Sequence, residues 1–152
     1  MVVQTTYSFN ATVDKLWPLL FNSKMDDNQP CILLCGLPKP VECRLPDNQG
    51  GVGSKRECVS DRGTIQQRIT EWEPGQKLSF ELERTDLYFG PCVKSIEEQF
   101  ELRNDKQGGC KITRTTTFKA KGLLAPFISL PMFIGLKAIH RYVFGNWRRL
   151  AA

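Results

Sequence analysis

R-G-T-I-Q-Q-R-I-T-E-W-E-P-G-Q-K-L-S-F, residues 62–80, decides how the rest of the chain is read. Residues 54–61 and 64–72 flank Arg62-Gly63, the kind of two-residue turn that closes a hairpin. Pro74-Gly75 makes the next turn, and residues 77–85 form another strand. Working outward, residues 93–103 and 111–120 make a further hairpin around 104–109. Towards the N-terminus, Val3, Thr5, Tyr7 and Phe9 alternate with Val2, Gln4, Thr6 and Ser8, as the two faces of a strand do. Asn10 or Thr12 then caps a short helix whose apolar face is Val13, Leu16, Trp17 and Leu20. Pro18 kinks that helix or begins a second short one. Residues 24–53, rich in Pro, Gly, Asp and Asn, read as a long irregular connection with room for one short strand. Its one apolar cluster is Cys31-Ile32-Leu33-Leu34-Cys35. Residues 123–151 are helical in character, with Pro131 at the start of the regular part. Met132, Leu136, Ile139, Val143, Trp147 and Leu150 follow at spacings of three or four.

At 152 residues the chain has the size of one domain, residues 1–152. Its 41% hydrophobic and 24% charged residues exclude disorder, collagen and coiled coil. A net charge of +5 is not gathered into a block, so no nucleic-acid partner is indicated. The first ten residues have neither a basic n-region nor a long apolar h-region. The longest uncharged apolar stretch, 122–136, contains Pro126 and Pro131 and is shorter than the roughly 20 residues a spanning helix needs. The location expected on these grounds is cytoplasmic. There the six cysteines, Cys31, Cys35, Cys43, Cys58, Cys92 and Cys110, read as reduced thiols.

Strand, helix pair, long loop, five antiparallel strands and a long C-terminal helix make an α+β chain. Its sheet has one apolar face, and only the last helix is large enough to cover it. V-D-K-L-W-P-L-L (13–20), the 62–80 stretch and E-E-Q-F-E-L-R-N-D-K-Q-G-G-C-K-I-T (97–113) resemble the START-like (SRPBCC) superfamily over residues 2–150. This helix-grip group includes polyketide cyclases, START lipid-transfer domains and birch-pollen-allergen-type proteins. The resemblance implies a curved antiparallel sheet wrapped around the C-terminal helix, with two short helices after the first strand. It also implies a cavity between sheet and helix that binds a hydrophobic small molecule or lipid. Such markers specify a fold better than a function.

Strand parity selects the side chains that face such a cavity. Glu98 shares a face with Ile96, Phe100 and Leu102, and Arg114 and Thr116 share one with Ile112, Phe118 and Ala120. The second hairpin can set Glu98 opposite Arg114, and an inward pair must neutralise itself because either charge alone is costly to bury. If Asp61 pairs with Thr64, then Arg56, Cys58 and Ser60 face the same way as Ile65, Gln67 and Ile69. Leu78, Phe80 and Leu82 add to the lining, with Arg84 near the strand end, and Leu136, Ile139 and Val143 close it from the helix. The candidate ligand-binding set is therefore Gln67, Ile69, Phe80, Leu82, Glu98, Phe100, Arg114, Thr116, Phe118, Leu136, Ile139 and Val143. Each of these can equally be plain core.

No catalytic residue is assigned. His140, the one histidine, has no carboxylate within a helical turn to orient it and reads as a surface or half-buried helix residue. No nucleophile elbow, nucleotide-binding glycine motif or paired CxxC is present, so no cofactor or metal is expected; Cys31-x3-Cys35 with Cys43 is a poor zinc set. Two alternatives stay open. One is an enzyme of cyclase or hydrolase type in the same cavity, which requires the Glu98 pKa to be raised. The other is a module whose apolar 123–134 segment meets a membrane surface or a protein partner, helped by Arg141, Arg148 and Arg149. The oligomeric state is not legible.

Overall fold

In the computed structural model, which describes residues 1–26, 38–106, 108–122 and 125–152, the elements follow in chain order. They are β1 (Val2–Phe9), α1 (Val13–Leu16), a 3₁₀ turn (Trp17–Leu20), β2 (Ser23–Lys24), β3 (Pro40–Arg44), β4 (Lys55–Ser60) and β5 (Gly63–Glu73). Then come β6 (Lys77–Thr85), a 3₁₀ turn (Gly90–Cys92), β7 (Val93–Asn104), β8 (Cys110–Ala120) and α2 (Ala125–Leu150). The strands form one curled antiparallel sheet of order β1-β8-β7-β6-β5-β4-β3-β2, and α2 lies in its concave side. The expected α+β helix-grip architecture is what the chain adopts.

Alternation makes the sheet two-faced. Along β8, Cys110, Ile112, Arg114, Thr116 and Phe118 are buried, while the residues between them face outward. Outward threonines zip the strands together, Thr6 to Thr113 at 3.0 Å and Gln4 to Thr115 at 3.2 Å. The β5–β6 turn is closed by the Gln76 amide donating to the Glu73 carbonyl at 3.0 Å, with Pro74 and Gly75 at its centre. Gly75 has φ +73°, a conformation that favours glycine there.

The inward face carries two apolar clusters. The larger gathers Phe9, Leu16, Leu20, Phe80, Phe100, Ile112, Val143, Phe144 and Trp147, and the smaller gathers Val3, Val93, Ile96, Phe118 and Leu136. Burying a side chain of this size contributes roughly 1.5–3 kcal/mol, so the clusters drive the sheet to close on α2.

Several expectations need correction. The first hairpin pairs Ser60 with Gly63 instead of Asp61 with Thr64, and the second pairs Arg114 with Phe100 and Glu98 with Thr116. Both displacements are of two residues, which leaves every side chain on its expected face. Arg84 does turn away. A bulge between Gln66 and Gln67 leaves Glu83 unpaired, so Arg84, opposite Gln66, lies exposed.

The 24–53 connection contains β3, whose Cys43 lies opposite Cys58 of β4 with Cα atoms 4.1 Å apart. The two are disulfide-bonded, against the reduced-thiol reading; the one short strand allowed for in this stretch had no pattern to place it beside β4. Cys92 and Cys110 are free. The 31–35 cluster, including Cys31 and Cys35, lies outside the described residues, as do Leu123 and Leu124. Pro131 sits inside α2 and not at its start. Leu150 is exposed, and the buried stripe passes through Phe144 instead. No helix among the described residues is long and apolar enough to cross a membrane.

Candidate ligand-binding site

Between the two apolar clusters runs a belt of polar side chains drawn from β4, β5, β7, β8 and α2. On β7, Glu98 falls between Ile96 of the smaller cluster and Phe100 of the larger. On β8, Thr116 and Arg114 fall between Phe118 and Ile112, and on α2, His140 falls between Leu136 and Val143. Gln67 of β5 and Arg56 of β4 extend the belt across the sheet, and both are buried.

The belt has two ends of different character. At one end His140, fully buried, joins Thr116 through Nε2 at 2.8 Å and Thr5 through Nδ1 at 3.1 Å. That burial corrects the expected surface or half-buried histidine: the α2 stripe turns it onto the β1–β8 pair. At the other end Arg114 Nη2 donates to Glu98 Oε1 at 2.5 Å, and Thr116 Oγ1 makes a long contact of 3.5 Å to the same oxygen. Arg56 donates from Nη1 to Gln67 Oε1 and from Nη2 to the Leu20 carbonyl at 2.9 Å. Each guanidinium faces a ring, Arg56 over Phe80 at 4.4 Å and Arg114 over Phe100 at 5.3 Å.

This second end opens into a cavity of about 120 Å³ between the sheet and α2. The strand wall is Cys43, Arg56, Cys58, Ile65, Gln67, Glu98, Phe100 and Arg114, and α2 contributes Met132, Leu136, Ile139, Val143 and Trp147. A wider hollow of about 430 Å³ is open surface formed by outward residues such as Glu81, Glu97, Thr115 and Thr117.

Of the expected ligand-binding residues, Gln67, Glu98, Phe100, Arg114, Leu136, Ile139 and Val143 line the cavity. Ile69, Phe80 and Phe118 do not; they are buried in the apolar clusters. Leu82 packs half-buried against the smaller cluster, and Thr116 is spent on His140.

No protein-family model and no curated protein matches the sequence. Solved structures do match in shape. A protein from Chromobacterium violaceum superposes with a TM-score of 0.66 at 13% identity, over 99% of this chain and 96% of that one. A START superfamily protein from Mycobacterium smegmatis gives 0.64 at 11% identity, over 98% of each chain. The crystal structure of Ara h 8.0201 gives 0.55 at 15%, over 96% of this chain and 99% of that one. The chain has the START-like helix-grip fold. At such identities the likeness carries the fold alone, and the chemistry of this helix-grip cavity must come from its own residues.

That chemistry is electrostatic. Burial is the largest influence on Glu98 and pushes its pKa up, yet Arg114, Arg56 and the Arg114 hydrogen bond together outweigh it and hold the carboxyl below its ordinary value. Glu98 is thus an ionised acceptor. The enzymatic alternative asked for a raised Glu98 pKa, and the shift runs the other way, which leaves Glu98 no proton to donate as a general acid at pH 7. Burial, with Arg114 adding to it, pulls His140 down to about 3, so its imidazole is neutral at pH 7. Burial also pulls Arg56 down to about 10, against the attraction of Glu98, which still leaves it a cation at pH 7.

Lining residues absent from the expected set include Arg56, Cys43, Cys58, Met25, Leu87, Phe89, Met132 and Trp147. Arg56 was within reach of the sequence, since parity puts it on the face of Gln67. Cys43 and Met25 come from the stretch around β2 and β3, where no periodicity marks an inward side.

Proposed function

We propose that this protein binds a hydrophobic small molecule in the cavity between its sheet and α2. The observation that carries this reading is an apolar cavity of about 120 Å³ with a few polar groups gathered at one end, the usual build of a small-molecule site. Counting about 10–15 Å³ for each water position, it holds roughly ten waters, which suits one ring system or one short acyl chain. Burying that apolar surface supplies about 25 cal/mol per Å² before the entropic cost of association. Glu98, Arg114 and Gln67 orient the polar end. Native mass spectrometry of freshly purified protein, with extraction of anything bound, tests this. A co-purified molecule whose mass is unchanged on incubation supports binding without turnover, and one that changes mass makes the protein an enzyme. Protein that stays empty after challenge with a broad panel of apolar molecules sinks the reading.

Cytoplasmic location is part of the same proposal, and the Cys43–Cys58 bond tests it. Alkylation in freshly lysed cells decides it: thiols still reduced there would support a cytoplasmic location, with the bond closing only on oxidation, and a bond already present would assign the protein to an oxidising compartment.

A second reading rests on α2. Phe127, Leu130 and Ile134, each more than half exposed, follow one another at helical spacing on its first turns. We propose that this stripe contacts a membrane surface by apolar insertion. Arg148 and Arg149 do not assist: they lie roughly 30 Å along the helix from Phe127 and bind Tyr7 and Asp26. Flotation with neutral phosphatidylcholine vesicles should carry the wild type and leave a Phe127→Ser, Leu130→Ser variant behind. Failure of the wild type to float removes the reading.

A further inference from the structure

The described wall of the cavity carries two guanidinium groups, Arg56 and Arg114, and one carboxylate, Glu98. All three are buried, so among the described residues the site holds one positive charge more than its side chains neutralise. His140 does not alter that count, because it lies outside the lining and its two ring nitrogens are held by Thr5 and Thr116. A surplus charge in an apolar wall is costly, and a counter-charge placed beside it is correspondingly favoured.

Hydrogen-bond accounting points the same way. Arginine has five N–H donors. The described bonds use two on Arg56 and one on Arg114. Among the buried polar atoms of the described residues that have no hydrogen-bond partner there, three belong to residues lining the cavity: Arg56 Nε, Arg114 Nε and Trp147 Nε1. All three are donors. Among the described residues, the polar end of the cavity therefore has more donors than acceptors and two positive charges against one negative. Most of the remaining lining, Phe100, Leu136, Ile139 and Val143 among it, offers apolar contact, while Gln67 is bonded to Arg56 and the Ser60 hydroxyl to the Gly63 carbonyl.

We infer that the cavity selects an apolar molecule bearing one carboxylate, whose oxygens take up the surplus charge and free donors of Arg56 and Arg114. This rests on the cavity-binding reading above and names its ligand class. A carboxylate is flat and bidentate, as is the guanidinium fork, and each guanidinium is already held in place by an aromatic face. Glu98 has its own function in this arrangement. It neutralises one arginine and so limits the site to a single anionic group.

Three probes of equal length separate the possibilities: octanoate, octanamide and octylammonium, titrated calorimetrically into the full chain at pH 7. Octanoate should bind at least about tenfold more tightly than octanamide, the range of one charge-assisted hydrogen bond. Octylammonium should bind more weakly than either. Arg56→Met should erase most of the preference for octanoate over octanamide, and Arg56→Lys should keep part of it. If Arg56→Met does not fold, the wild-type comparison decides alone. Octanamide equal to or tighter than octanoate overturns the carboxylate inference and leaves the cavity-binding reading standing. Preference for octylammonium also overturns it and makes Glu98 the anchor. Absence of binding by all three probes, in protein that is also empty by mass spectrometry, overturns both.

Discussion

His140 is buried with both ring nitrogens hydrogen-bonded, and pH reads its placement directly. Its pKa in the folded state, about 3, lies below the ordinary value of 6.5, so the unfolded chain takes up the proton first. Stability from this site is therefore full above about pH 6.5 and is lost as pH falls toward the folded value, by about 1.4 kcal/mol per unit. We expect a loss of about 2 kcal/mol between pH 6.5 and pH 5. Glu98 adds to it only at lower pH. Its folded pKa is depressed, so its contribution is present above the ordinary carboxylate value and disappears as pH falls through the folded one. Because the chain has a single histidine, urea midpoints between pH 7 and pH 5 isolate His140. A slope in the wild type that is absent from His140→Gln is the expected result; equal wild-type stability at both pH values would show that the imidazole is not buried neutral. Glu98 carries a second prediction. Glu98→Gln leaves Arg114 and Arg56 buried without an opposing charge and should cost about 3–5 kcal/mol, or about 10 °C in Tm by calorimetry. A loss below about 1 kcal/mol would mean that water already screens the pair.

At the scale of elements, the strands were legible wherever alternation is strict. Leu78–Phe80 and Ile96–Phe100 fell on the right face because parity survives a displacement of two residues, even where the pairing partner did not. Bulges and short strands were illegible for the same physical reason: Arg84 changed face through one unpaired residue, and β3 is too short and too polar to show a period. The belt was half legible. Glu98, Arg114 and Gln67 could be assigned from parity, but the diagonal placing of Glu98 beside Arg114 depends on a register that only the folded sheet sets. β3 is also where the disulfide acts. Cys43 and Cys58 close a loop of sequence separation 15 and pin β3, next to the β2 edge, onto β4. Removing a crosslink over such a loop costs about 3 kcal/mol in the chain-entropy account. The double variant Cys43→Ser, Cys58→Ser should lower Tm accordingly, and reductant should lower wild-type Tm by the same amount. A wild-type Tm indifferent to reductant would show that the bond does not form in solution.

For the molecule as a whole, the arrangement sets a test between two reasons for burying charge in a core. Two apolar clusters would pack against α2 more economically if the space between them were apolar too, and a buried ion pair is seldom a source of net stability. A triple variant, Arg56→Met, Glu98→Leu, Arg114→Met, removes all three charges at once and keeps similar volume. It loses the donors to the Leu20 carbonyl and Gln67, at about 1 kcal/mol each, and regains the desolvation that the charges impose. We expect its urea-unfolding free energy to lie within about 1–2 kcal/mol of the wild type, in contrast to the much larger loss from Glu98→Gln alone. That pattern, near-neutral together and costly singly, is what charges kept for a ligand should show. If the triple variant unfolds or loses as much as Glu98→Gln, the belt is holding the sheet to α2, and Arg56, Glu98 and Arg114 are structural groups that happen to border a cavity.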